Sequence, residues 1–127
     1  MYTAGIDIGS SNIKAAIWDG SSFEVWSQPT GWDISETSEA VIQVLLDRAS
    51  LKMEDLHQIV ATGYGRKMCR FSGRSVTEIT CHAAGAFYLT KGAETVLDIG
   101  GQDVKVIRMD TEGKVTDFLM NDKCAAG

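Results

Sequence analysis

The sequence predicts an α/β fold in which a β-meander, a run of alternating helices and strands, and a second β-meander follow one another along 127 residues. Three observations carry this prediction. The stretch Asp7-Ile8-Gly9-Ser10-Ser11-Asn12-Ile13-Lys14 returns late in the chain as Asp98-Ile99-Gly100-Gly101-Gln102-Asp103-Val104-Lys105. Each copy lies between β-branched, apolar runs, so each reads as two strands joined by a polar turn with glycine at its tip. Between the copies, apolar residues at helical spacing alternate with short apolar runs that end in glycine.

Strands are expected at Tyr2 to Ile8 and Asn12 to Asp19, with an Asp19-Gly20 turn leading into a third from Phe23 to Gln28 that Pro29 ends. Asp33 with Glu36 three residues on resembles a capping box. Val41, Ile42, Leu45, Leu46 and Ala49 then predict a helix from Ile34 to Ser50. Leu56 to Thr62 reads as a buried strand reached by crossover from that helix, and Gly63-Tyr64-Gly65-Arg66 as the loop at its C-terminal end, where open α/β sheets bind ligands. Residues 66–72 predict a short helix closed by Gly73, and Val76 to Ile79 a strand. Thr80 is the expected cap of a helix with Ala83, Ala84, Phe87 and Tyr88 on its apolar face, stopped by Gly92. The second meander is expected at Glu94 to Ile99, Val104 to Met109 and Lys114 to Met120, turning at Asp110-Thr111-Glu112-Gly113. Domain limits follow at 1–92 and 93–127.

The composition, 44% hydrophobic and 23% charged, is that of a folded domain. A net charge of -5 without a Lys/Arg cluster argues against nucleic acid as a partner. No apolar run approaches the roughly 20 residues of a membrane span, so no membrane role and a cytoplasmic location are expected. Cys69, Cys81 and Cys124 are odd in number and lack CxxC spacing, so neither a disulfide framework nor a self-contained zinc site is implied. Cys69, Cys81, His82 and His57 read as structural or surface residues. Adjacent Cys81 and His82 would point about 100° apart on a helix.

The two turns carry the chemistry. Gly9 and the Gly100-Gly101 pair can take positive φ, which lets successive backbone N–H groups point into one concavity of the kind that holds a phosphate. The aspartate before each glycine and the lysine after each turn stand where they would meet a metal ion and a phosphate oxygen. Two such hairpins facing each other would clamp the phosphates of a nucleotide. Neither copy satisfies GxxxxGK[ST], and Gly63-Tyr64-Gly65 lacks the third glycine of a dinucleotide loop.

The order of elements and the paired turns resemble the superfamily of sugar kinases, actin and heat-shock ATPases, in which two ribonuclease-H-like domains close on ATP. Within it, Gly5 to Lys14, Ala61 to Arg66 with Glu78 to Ala83, Asp98 to Lys105 and, most specifically, Asn121-Asp122-Lys123-Cys124-Ala125-Ala126-Gly127 resemble one branch along the whole chain. That branch is the ATP-dependent activators of 2-hydroxyacyl-CoA dehydratases, related to the ATPase subunits of benzoyl-CoA reductase. The resemblance implies a first ribonuclease-H-like domain and the opening meander of a second. It also implies a homodimer sharing one 4Fe-4S cluster, with two cysteines from each subunit, and an electron donor such as ferredoxin or flavodoxin. ATP hydrolysis would drive a low-potential electron into the dehydratase or reductase partner. Carried residue by residue, Gly9, Ser10, Ser11, Asn12, Lys14, Gly100, Gly101, Gln102, Asp103 and Lys105 would hold ATP, and Asp7 would meet Mg²⁺ through water. Gln102 or Asp103 would orient the attacking water, and Cys124 would be the first cluster cysteine. Asn12 departs from the pattern, standing where Ser or Thr would be unremarkable.

A sugar or amino-sugar kinase shares both hairpins but has no use for Cys124, and a non-catalytic nucleotide-binding module is the other alternative. The sequence is expected to be cut after Gly127, before the second cluster cysteine and the adenosine site. The second meander would then keep one bare face, around Val96, Val106, Val115 and Leu119, and self-associate.

Overall fold

The computed structural model describes residues 1–121. Contacts divide the chain into two units, the first Met1–Val76 and the second from Thr77 onward. In the first unit, β1 (Tyr2–Ile8), β2 (Asn12–Trp18) and β3 (Phe23–Pro29) form the antiparallel meander, and β4 (Leu56–Thr62) returns parallel to β1. The two-residue β5 (Arg74–Ser75) completes the order β3-β2-β1-β4-β5. β3 runs through Pro29 instead of stopping before it, because β3 is an edge strand and a missing N–H on its open side breaks no ladder bond. The carboxylate of Asp19 closes the β2–β3 turn. It accepts from the backbone N–H of Ser21 and Ser22, each at 2.7 Å, and these bonds, Ser22's first, hold it well below the usual carboxylate range.

Alternation along the strands sends Ile6, Ile8, Ile13, Ile17, Ile59 and Ala61 to one face of this sheet. Helix α1 (Ile34–Ala49) covers that face with Val41, Ile42, Leu45 and Leu46, and full burial of such a side chain contributes roughly 1.5–3 kcal/mol. Asp33 caps α1, accepting from the N–H of Glu36 at 3.0 Å. The helix ends one residue early, at Ala49, because Ser50 turns left-handed at φ 56°. The helix expected at 66–72 is a single 3-10 turn, Arg66–Met68. After it, Cys69 enters the core and Gly73 donates to Ile59 O along β4.

In the second unit, α2 (Glu78–Thr90) packs on an antiparallel sheet of β6 (Thr95–Ile99), β7 (Val104–Met109) and β8 (Val115–Asn121), in the order β6-β7-β8. Ala83, Ile107 and Met109 form its core, with Ile79, Phe87, Ala93, Val96 and Val115 around them. This corrects the strand expected at Val76 to Ile79. The strand is Arg74–Ser75, and Ile79 belongs to α2, where helical spacing puts it in the second core beside Ala83. Thr77, extended at ψ 150°, is the N-cap in place of Thr80. Because α2 packs on this sheet, the contact boundary falls between Val76 and Thr77, ahead of the limit expected after residue 92. Val96 and Val115 face α2, so the bare side of the sheet is built from Leu97, Ile99, Val106 and Leu119.

Candidate functional site

The two turns repeat each other down to register and hydrogen bond. Asp7 pairs with Lys14 across β1 and β2, and Gly9 N–H donates to Asn12 O at 3.0 Å. Asp98 pairs with Lys105 across β6 and β7, and Gly100 N–H donates to Asp103 O at 2.8 Å. Neither Gly9 nor Gly100 has positive φ, which corrects the reason given for the glycines. Close approach is what disfavours a side chain, and more severely at Gly9 than at Gly100. A Cβ at Gly9 would stand 2.7 Å from Asn12 O, and one at Gly100 would stand 3.1 Å from Asp103 Oδ1.

At the first turn, Ser10, Ser11 and Asn12 are exposed. Two elements hold the turn from outside. Thr30, 3% exposed, donates its hydroxyl to Gly9 O at 2.7 Å and its N–H to Ser11 O at 3.0 Å. Gly65 N–H donates to Ile8 O at 2.9 Å, drawing the loop after β4 over the end of β1. Gly63, at φ +91°, lies against Asp7, where a Cβ would meet Oδ1 and Ile8 O at 2.5 Å. Arg66 is turned inward and donates to Gly63 O at 3.0 Å. Asp7 lies on the sheet face opposite α1, with Oδ2 3.5 Å from Lys14 Nζ, and the lysine side chain is 61% exposed. Thr62 neighbours Asp7 in register, and its Oγ1 is buried with no hydrogen-bond partner among the described residues. An exposed ammonium, two hydroxyls and an amide around one turn form a donor set that suits phosphate oxygens. The Asp7 carboxylate beside the unpaired Thr62 hydroxyl is oxygen chemistry that suits a hydrated Mg²⁺.

The second turn has the same backbone and a different setting. Lys105, expected to reach out to a phosphate, is 3% exposed and encircled by carboxylates: Asp103 Oδ1 at 2.7 Å, Glu78 Oε2 at 3.0 Å and Asp98 Oδ2 at 3.6 Å. Burial pushes its pKa down, but the Asp103 hydrogen bond and the Glu78 carboxylate outweigh this and raise it to about 12. Gly101 and Gln102 are exposed at the tip. His82 adds a polar contact from α2, with Nδ1 3.0 Å from Asp98 Oδ2. Cys124 lies outside the described residues.

Sequence reasoning missed Thr30, Glu78 and His82 as supports of the turns. Thr30 carries no local signal, whereas Glu78 and His82 stand four residues apart, the spacing of one helix face. Gly63 was legible as part of a loop at the ligand end of a strand, but not as the residue against Asp7.

Residues 4–127 match the model of the BadF/BadG/BcrA/BcrD ATPase family. The chain is 44% identical over 131 residues to the activator of lactoyl-CoA dehydratase of Anaerotignum propionicum, covering 100% of this chain and 49% of that protein. The crystal structure of component A of the Acidaminococcus fermentans (R)-2-hydroxyglutaryl-CoA dehydratase superposes with a TM-score of 0.90 at 41% identity, over 98% of this chain and 49% of that one. The activator of 2-hydroxyisocaproyl-CoA dehydratase from Clostridium difficile, with bound ADPNP, superposes with a TM-score of 0.85 at 38% identity, over 98% and 47%. The chain thus spans about half the length of the curated relatives it matches. Its α/β architecture is the ribonuclease-H-like one of actin-type ATPases. With a family model matched from residue 4 onward and paired turns that agree in register, the chain belongs to the BadF/BadG/BcrA/BcrD ATPase family.

Proposed function

We propose that this chain is the N-terminal part of an ATP-hydrolysing activator that drives low-potential electron transfer into a 2-hydroxyacyl-CoA dehydratase or a benzoyl-CoA reductase-like partner. The observation that carries the reading is the repeated turn, with Asp7 across from Lys14 and Asp98 across from Lys105, each closed by the same backbone bond. The relatives named above as dehydratase activators support the partner class.

Lys14, Ser10, Ser11 and Asn12 bind and orient phosphate oxygens at the first turn. The second turn supplies Gly100, Gly101 and Gln102, with Asp103 and Lys105 fixing its shape. Asp7 would hold Mg²⁺ through water, and the ion when bound supplies positive charge to the phosphates. Asp103 commits one oxygen to Lys105 at 2.7 Å, so exposed Gln102 is assigned the task of orienting the water that attacks the γ-phosphate. Backbone and side-chain donors at a turn of this kind stabilise negative charge on the phosphate oxygens they meet. In the homodimer Cys124 would be one of two cysteines per subunit that hold a 4Fe-4S cluster, which supplies a one-electron carrier. A donor such as ferredoxin or flavodoxin would reload it, in the cytoplasm. The reading is tested on full-length protein purified without oxygen. ATPase activity with about four iron and four sulfide per dimer is expected; ATP turnover without iron would point instead to a kinase.

A further inference from the structure

We propose that His82 is a positioning residue for the second turn and acts through Asp98; the inference rests on the ATPase reading above. The side chain stands outside the apolar core of its unit, 31% exposed, with Nδ1 3.0 Å from Asp98 Oδ2. One helical turn earlier on α2, Glu78 Oε2 meets Lys105 Nζ at 3.0 Å. Asp98 and Lys105 are register partners at the base of the hairpin, so two side chains four residues apart on one helix face grip both of its strands. From Lys105 the contacts continue to Asp103 Oδ1 at 2.7 Å, and Asp103 O closes the turn by accepting from Gly100 N–H. His82 is thereby joined to the turn by an unbroken run of polar contacts.

The first turn is the internal control. The same Asp–Lys pair there spans 3.5 Å, and the lysine is 61% exposed. Thr30 and Gly65 hold that turn through Gly9 O, Ser11 O and Ile8 O, leaving its Asp–Lys pair ungripped among the described residues, so a helix grip on the pair itself is particular to the second turn. Lys105 and His82 both engage Asp98 Oδ2, which leaves Oδ1 outside either contact. Two contacts from different elements fix the position of Oδ2, and with it the base of the turn that must meet the reacting phosphate. A small misplacement of a positioned group costs reaction rate more than binding, because the rate depends on the alignment of the reacting atoms.

The test is steady-state ATP hydrolysis by the full-length protein as wild type, His82→Ala, His82→Asn and Asp98→Asn, with calorimetric ATP affinity and Tm for each. His82→Ala is expected to lower kcat ~10–100-fold, as for other residues that orient a functional group, while Kd for ATP stays within about twofold. His82→Asn, whose amide can donate from near the Nδ1 position, restores most of the rate. In the Asp98→Asn background, His82→Ala adds nothing further. Wild-type kcat in His82→Ala overturns the inference and leaves the ATPase reading standing. Equal loss in the Ala and Asn variants together with a fallen Tm also overturns it, in favour of a purely structural histidine. A wild type that neither binds nor hydrolyses ATP removes the ATPase reading and this inference with it.

Discussion

At the scale of single residues, the two copies of the motif share Asp, Ile, Gly and Lys at the same offsets and differ in environment. Gly63 is the most constrained position near the first turn, since its φ of +91° already strains any other residue and a Cβ would meet Asp7 Oδ1 and Ile8 O at 2.5 Å. Gly63→Ala is expected to cost about 2–3 kcal/mol and to weaken nucleotide binding, read by urea unfolding and calorimetry. Lys105→Met would leave three carboxylates facing one another and cost about 2 kcal/mol at neutral pH. The folded pKa of Lys105 is raised from 10.5 to about 12, so its contribution is fully present below pH 10.5 and is lost as the pH rises through about 12. The stability gap between wild type and Lys105→Met should therefore hold constant from neutral pH to about 10 and close above it, as followed by unfolding at each pH. These environments were not legible in the sequence. The spacing of Asp, Gly and Lys is local, whereas the burial of Lys105 depends on Glu78 arriving from a helix whose packing partner no local pattern names.

At the scale of elements, the sequence was most informative where period and punctuation agreed. β1, β4 and β7 fall at their expected limits, and Asp33 caps α1 as its spacing suggests. Errors gathered between residues 66 and 80, where two threonines compete to cap α2 and Ile79 fits strand or helix equally well by composition. Packing against the second sheet decided for helix. Among the described residues, that sheet is covered on one side only. Leu97, Ile99 and Leu119 are exposed on the other, at 63%, 72% and 73%. The 127-residue chain is therefore expected to self-associate through β6 to β8. Light scattering checks this, and Leu97→Lys with Leu119→Lys should return a monodisperse monomer.

At the scale of the whole molecule, the proposed activity belongs to the full-length protein, since this chain spans about half the length of its relatives. If hydrolysis works as a switch on the cluster, the redox potential of the full-length dimer should differ between ADP-bound and ATP-analogue-bound states, measured by potentiometric titration. Equal potentials would count against the coupling. The recurrence of Asp-Ile-Gly was enough to announce a duplicated plan from sequence, and the register pairs Asp7–Lys14 and Asp98–Lys105 bear that plan out. The unequal seclusion of the two lysines then has a chemical consequence. A brief pulse of an acylating reagent should tag the amine of Lys14 and spare that of Lys105, so peptide mass spectrometry can tell the twin motifs apart. Protection of Lys14 by added nucleotide would then report occupancy of the first turn without any enzymatic assay.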